Sequence, residues 1–397
     1  MRVLVSTSGS RGDIEPALAL ALRLPESGAQ VRVCAPPDFA ARFAELGVPL
    51  EPLGPPLPGS HGGDASPPDL LHYVDQWPTY QFDTIAAAAA DCDAVVATSV
   101  TEIAARSVAE KLGIHYQFAS YQPTTLPSPH HRPMPMAGDR PPPEALSNRV
   151  LWEIDALGWD AQFGETLTAR RAALGLPPVT TVRDHVIGDR PWLAADSVLA
   201  PWPGTPGLDV VQTGAWIVPD ERPLPAELAA FLDRGAPPVY VGFGSMQVGP
   251  GVARAAIEAI RAHDRRVIIS RGWAGLTAVD DVSDCLVVGE ANHQALFPRV
   301  AAVVHHGGAG TTTTAARAGT PQVVVPQMMD QTYWGRRVAD LGIGATLEEA
   351  GPDAAALSAA LDTALAPATR ARADAVAESI RTDGAGAAAE MLVGAIR

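Results

Sequence analysis

The chain has 397 residues, 47% hydrophobic and 18% charged, which at roughly 100–200 residues per domain predicts two or three globular domains, with two the first expectation, and no apolar run approaches the roughly 20 residues of a spanning helix. A formal net charge of −15 argues against a nucleic-acid or anionic-membrane partner, because clustered Lys and Arg would be needed to neutralise phosphates. Three cysteines, Cys34, Cys92 and Cys285, form an odd set without CxxC spacing, against a disulfide framework or a zinc site, and MRVLVSTSGSRGD lacks the apolar region and cleavage site of a secretory signal, so a cytoplasmic chain is expected.

In chain order, RVLVST is a short β-rich run, GSRGDIEP a turn, ALALALRL a helical run and QVRVCAPP a second strand, together a βαβ unit. DAVVATS, the helix-like TEIAARSVAEKLG and then HYQFAS extend a parallel sheet. From Asp196 to Asp220, Pro and Gly interrupt every periodic run, which predicts a linker over 201–220. Strand signals restart with PPVYVGFGSM, RRVIISRG, DCLVVGE, AAVVHH and TPQVVVPQ, separated by helical runs such as GVARAAIEAIRAH. After Gly342 the segments are Ala-rich and helical with no further strong strand, which predicts a helical tail packed on the body. The expectation is α/β: a Rossmann-like domain over 1–200, and a second over 221–397 carrying the tail. Two such halves facing each other would leave a deep cleft. Two segments without periodicity, 54–68 and 122–143, are long for loops in a compact domain and are expected either to shape a site for a bulky second substrate or to be mobile surface.

The stretch from His305 to Gln331, HHGGAGTTTTAARAGTPQVVVPQMMDQ, joins a buried-strand run to a Gly turn and a helix start. Free N–H groups and the positive end of the helix dipole suit a phosphate there, and Gly lets an anion approach the backbone closely. His306 can donate to the same oxygens, and the hydroxyls of Thr311 and Thr312 are expected to add donors. A Gly-rich turn alone is also what an ordinary strand-to-helix connection looks like. The continuation AGTPQVVVPQMMDQ narrows the choice, because the whole stretch resembles the C-terminal donor signature of nucleotide-sugar-dependent glycosyltransferases with the two-domain GT-B fold. MRVLVSTSGSRGDIEPALALALRL resembles the N-terminus of the same enzymes. With APPDFAARFAELGVPLEPLG it is most similar to the actinobacterial family that glycosylates glycopeptide antibiotics of the vancomycin and teicoplanin type. The resemblance covers most of the chain and is weakest across the two Pro-rich loops.

The resemblance implies that His306, Gly308, Gly310 and Thr311 hold the donor diphosphate, and that Asp330 and Gln331 bond the hydroxyls of the donated sugar. It places Ser245 by the diphosphate and Arg271, Gly272 and Trp273 around the base. Asp330 and Gln331 also follow a strand at its C-terminal end, where open α/β sheets bind ligands. GEANHQALF stands where plant relatives carry the Trp of WxPQ, which leaves the base, uracil or thymine, open.

Transfer to a hydroxyl benefits from a base that removes its proton as the bond forms, and Asp13 in GSRGD, between the first strand and the first helix, is the candidate; family members carry an Asp at this point. Asp13 also suits a helix cap, and both roles are compatible. Ser10 and Arg11 share its turn, and Arg11 is expected to reach the diphosphate. Preorganised donors rather than a DxD-held metal are expected to take the leaving charge, so no metal or cofactor is predicted. Asp280, Asp281 and Asp284 read as a solvated turn. A base on one side and the leaving group on the other imply inversion through an oxocarbenium-like state. His72, Gln76 and Trp77 are candidates for lining the site of an aromatic heptapeptide aglycone acceptor, and the helical tail would permit a monomer. The alternatives are a sugar-nucleotide epimerase of the same architecture, an inactive binding module, and a dinucleotide oxidoreductase. The last is disfavoured because SGSRGD lacks GxGxxG.

Overall fold

Apolar runs of four to six residues alternating with helices can bury both faces only as parallel strands with crossover helices. The structure, a computed structural model describing residues 1–57, 67–99, 101–134, 146–246, 248–249, 251–278, 280, 282–348 and 351–396, with the backbone alone for 67–75, shows that arrangement twice. β1 (Arg2–Ser6), β2 (Gln30–Ala35), β3 (Leu50–Pro52), β4 (Ala94–Ala97), β5 (His115–Ser120), β6 (Trp192–Leu193) and β7 (Val211–Gln212) form one sheet in the order β3-β2-β1-β4-β5-β6-β7. β8 (Val239–Gly242), β9 (Val267–Ser270), β10 (Cys285–Val288), β11 (Ala302–His305), β12 (Gln322–Val324) and β13 (Gly344–Thr346) form the other, in the order β10-β9-β8-β11-β12-β13. Every pairing recorded between named strands is parallel. Both orders reverse direction beside the first strand of the sheet, between β1 and β4 and between β8 and β11, the switch points at which such sheets bind ligands.

The chain divides into two compact units, residues 1–196, 202–218 and 381–397 in the first, and 197–201 and 219–380 in the second. The segment read as a linker is therefore largely part of the first unit: β7 extends its sheet, and Trp216 and Val218 are buried in its core. Two-residue strands such as β6 and β7 are too short to show a period. β13 likewise escaped the reading of the region after Gly342; it is three residues of Gly-Ala-Thr that extend the second sheet by pairing with β12.

The tail divides as well. Its last helix, Gly384–Ile396, belongs to the first unit rather than to the 221–397 domain the sequence suggested. The cause is apolar burial: Ala385, Ala388, Ala389, Leu392 and Val393 join one core cluster with Ile14, Ala17, Leu18 and Ala21 of the Arg11–Arg23 helix. Among the described residues no helix is long and apolar enough to cross a membrane.

Candidate active site

At the β1–β4 switch point of the first unit, the turn after β1 feeds the Arg11–Arg23 helix through a reciprocal cap. Ser10 is the N-cap and its Oγ accepts from Gly12 N at 3.3 Å, while Asp13 Oδ2 accepts from Ser10 N at 2.9 Å. Such a box satisfies the orphan donors of a helix start, and here it also fixes the direction of the carboxylate. Gly9 makes room for it: with φ +121°, its position would put a Cβ 2.3 Å from Asp13 Oδ2. Asp13 is half-buried at the C-terminal edge of the sheet, so capping and presentation to a substrate coincide. Arg11 is exposed and paired with Glu15 at 3.4 Å, a bond it would have to exchange to reach a phosphate.

At the β8–β11 switch point of the second unit, β11 ends in His305, and Gly308 caps the Ala309–Arg317 helix with no side-chain bond to the helix start. The N–H groups of its first turn, including those of Gly310 and Thr311, therefore lack the usual side-chain acceptor. Burial pushes the His306 imidazole down to about 4, so it is neutral near pH 7, and its Nδ1 is buried without a partner among the described residues. Glycine at 308 accommodates the ring, since a Cβ there would lie 2.5 Å from His306 Nε2. The threonine run departs from expectation. Thr312, Thr313 and Thr314 turn their hydroxyls back onto the carbonyls of Gly308, Ala309 and Gly310, at 2.9, 2.8 and 2.8 Å. The Thr312 hydroxyl is thus committed to its own helix, a common fate of threonine inside helices.

The sequence reading passed over His305, which holds this turn in shape. Fully buried, it accepts from Gly307 N at Nδ1 (3.1 Å) and donates from Nε2 to Gln322 Oε1 (2.9 Å), and Gln322 Nε2 donates to Thr312 O at 3.3 Å. Desolvation pushes its pKa down to about 3, which leaves it neutral, and the Gly307 N–H on Nδ1 puts the ring proton on Nε2. The signal was the His-His doublet, of which one member points into the core, as alternation along a strand requires.

Ser245 follows β8 and is half-buried, and Arg271, Gly272 and Trp273 follow β9. Trp273 N donates to Gly244 O at 2.9 Å, and a Cβ at Gly244 would lie 3.4 Å from His306 Cε1, so these turns and the Gly308 helix start gather at one edge of the sheet. The Arg271 and Trp273 side chains are exposed there. Asp330 lies half-buried after β12, its Oδ2 accepting from Trp334 Nε1 at 2.7 Å, and burial pushes its carboxyl up to about 6. Gln331 differs from expectation: its buried Oε1 accepts from Gln327 N at 2.7 Å and Met328 N at 3.1 Å, so the amide oxygen shapes the loop before Asp330. Its Nε2 lies 3.3 Å from Met246 Sδ.

Of the acceptor candidates, the side chain of His72 falls outside the described residues and Gln76 is half-buried. Trp77 is 4% exposed and lies against Gly54, a core residue rather than the lining of an open site. Both Pro-rich loops are described only in part, without 58–66 and 135–145. The described start of the second is folded in, with Thr124, Thr125 and Ser128 buried and His131 edge-on to Trp152 and Trp202. Asp280 and Asp284 both grip Arg261, at 2.7 Å each, and residue 281 lies outside the described residues. Among the described residues no group of three His, Cys, Asp or Glu is placed to hold a metal.

Comparison with known proteins assigns each half. The model of the glycosyltransferase family 28 N-terminal domain matches residues 3–128, and that of the erythromycin biosynthesis protein CIII-like C-terminal domain matches 254–389. Glycosyltransferase GtfE of Amycolatopsis orientalis is 55% identical over all of this chain and 98% of its own length. The vancomycin aglycone glucosyltransferase of the same organism is 52% identical over the same shares. The chain belongs to the glycopeptide-antibiotic glycosyltransferases. It is accordingly a glycosyltransferase enzyme, and its two Rossmann-like units are those of the GT-B fold. The glycotransferase of kitacinnamycin, a solved structure, superposes with a TM-score of 0.76 over 98% of each chain at 20% identity, which bears on fold alone. Asp13 lies within the first matched span, and His306 through Gln331 within the second.

Proposed function

We propose that this glycosyltransferase moves a hexose from a UDP- or dTDP-sugar to a hydroxyl of a glycopeptide aglycone, inverting the anomeric carbon and using no divalent metal. The observation that carries the donor half is the Gly308 helix start with the neutral His306 beside it, Nδ1 buried and without a partner among the described residues. Backbone N–H groups at a helix start and an imidazole N–H beside it suit the oxygens of a diphosphate. As the bond to the sugar breaks, charge develops on those oxygens, and fixed donors stabilise it without reorganising. Asp330, ionised above about pH 6, is suited to accept from hydroxyls of the sugar.

The acceptor half rests on Asp13. Its carboxylate, aimed by the Ser10 N–H, takes the proton of the acceptor hydroxyl as the oxygen attacks the anomeric carbon. Direct displacement opposite the leaving diphosphate inverts that carbon. The aglycone is proposed from the relative that acts on vancomycin aglycone, 52% identical end to end. Both relatives named above are transferases, so an epimerase has no support from them.

The test is to incubate the protein with glycopeptide aglycones and a panel of UDP- and dTDP-sugars in EDTA, following acceptor mass and released nucleotide, beside Asp13→Asn. One added hexose-type mass, reduced about 10²–10⁴-fold in the variant, is expected for loss of a general base. Nucleotide release without acceptor gain would leave the donor reading standing and remove the acceptor. Activity only when a divalent ion is restored would remove the metal-free mechanism.

A further inference from the structure

The first unit buries a carboxyl that the mechanism above does not use. Glu102 is 0% exposed and lies five residues beyond the end of β4. It sits where the turns after β1 and β4 meet. The Ser6 hydroxyl, at the last position of β1, donates to Glu102 Oε2, and Glu102 Oε1 is buried without a partner among the described residues. Around this bond the two turns are stitched together. Ser8 Oγ lies 2.9 Å from Thr101 Oγ1, Thr98 N donates to Ser6 O at 3.1 Å, and Glu102 N donates to Ser99 O at 3.0 Å. The Pro67–Ala89 helix closes the arrangement from behind, with Gln81 Nε2 donating to Thr101 O (2.7 Å) and Gln81 Oε1 accepting from Ala104 N (3.2 Å). Further along the turn, Thr7 Oγ1 donates to Asp13 O at 3.3 Å and Ser10 N to Asp13 Oδ2.

We infer that Glu102 is a positioning residue for the reaction: by fastening the end of β1 to the turn after β4, it holds the Ser8–Asp13 turn in the conformation that aims the Asp13 carboxylate at the acceptor. The inference rests on the proposed role of Asp13 as base. A buried carboxyl is a costly fastener, since its charged form is desolvated. An amide or apolar residue of similar size would serve stability alone at less cost.

Ionisation strengthens the hold. A carboxylate accepts the Ser6 O–H bond more strongly than a neutral acid does. Burial pushes the Glu102 carboxyl up to about 7, opposed first by the bond from Ser6, so it titrates near neutrality. The groups that feel its charge are Cys34 of β2, Tyr116 of β5 and Tyr121 just beyond β5, all three pushed up by burial and so neutral near pH 7.

The test is Glu102→Gln and Ser6→Ala beside wild type and Asp13→Asn, read by kcat and donor KM from pH 5.5 to 9, melting temperature, and amide exchange at Ser10. Glu102→Gln is expected to melt a few degrees higher at pH 8, because no buried charge forms, and to turn over about tenfold more slowly with donor KM within twofold. Its kcat profile loses an inflection near pH 7 that wild type shows, and its Ser10 amide exchanges faster. Ser6→Ala slows kcat to a similar degree. A residue that merely stabilised the fold would give the opposite melting shift. Wild-type kcat and wild-type Ser10 exchange in Glu102→Gln overturn the inference. If Asp13→Asn stays active, the base reading falls by itself; Glu102's hold on the turn is then sustained by faster Ser10 exchange and overturned by unchanged exchange.

Discussion

The Asp330 carboxyl accepts from Trp334 Nε1, and hydrogen bonding does not offset the desolvation that pushes it up to about 6. Because the folded-state value lies above the ordinary carboxyl range, the folded chain holds that proton more tightly than the unfolded one. The associated stability is complete below about pH 4, near the ordinary Asp value, and is lost as pH rises through about 6. In the proposed role function runs the other way, since a carboxylate accepts from sugar hydroxyls more strongly than the neutral acid does. Donor KM is therefore expected to climb several-fold as pH falls from 7 to 5.5. In Asp330→Asn, which still accepts from Trp334, KM should be raised throughout and flat with pH. Steady-state kinetics over that range checks both, and a wild-type KM indifferent to pH would remove Asp330 from sugar recognition. His306 behaves differently: held down to about 4, it changes neither charge nor role between pH 6 and 8 in the free enzyme.

Elements decide which of these side chains can act. The start of the Ala309–Arg317 helix is usable because Gly308 leaves space for the His306 ring, so Gly308→Ala, at an ordinary φ of −65°, should disturb the site without unwinding the helix. We expect donor KM to rise about tenfold, equivalent to about 1.4 kcal/mol, with the melting temperature nearly unchanged; a variant that binds donor normally would show that the ring is not held there for the diphosphate. The helix and strands that build this site were legible in the sequence, since AVVH and QVV are apolar runs bounded by Gly and Pro. The direction of the threonine hydroxyls was not: residue types name donors, and only the helical i−4 geometry says that Thr312 spends its own internally. The engagement of the Gln331 amide oxygen was hidden for the same reason, since it is taken by two backbone N–H groups four and three residues earlier. β3, β6, β7 and β13 are two or three residues long, and their strand character comes from neighbours in the sheet rather than from any period of their own. Glu102 looked like any polar residue at a strand-to-helix turn, because burial is a property of the fold and not of the residue.

At the scale of the molecule, the last helix is the element whose allegiance the sequence order concealed. Removing 381–397 would take Leu392, Val393 and three buried alanines out of the first core. At about 1.5–3 kcal/mol for each large apolar side chain, the first unit should lose several kcal/mol. Amide protection in β1 and β2 is expected to fall sharply while that in β8 and β11 persists; loss confined to the second unit would return the tail to the domain it follows in sequence. The same division sets an order of completion during synthesis. Domains fold as units as the chain emerges, ordinarily the N-terminal one first. Here the first unit cannot close its core until residues near 393 have been made, whereas everything the second unit needs is available at 380. The second unit is thus the one able to fold first, and the unit carrying Asp13 must wait, with the apolar face of its first helix uncovered, for residues near 393 to arrive.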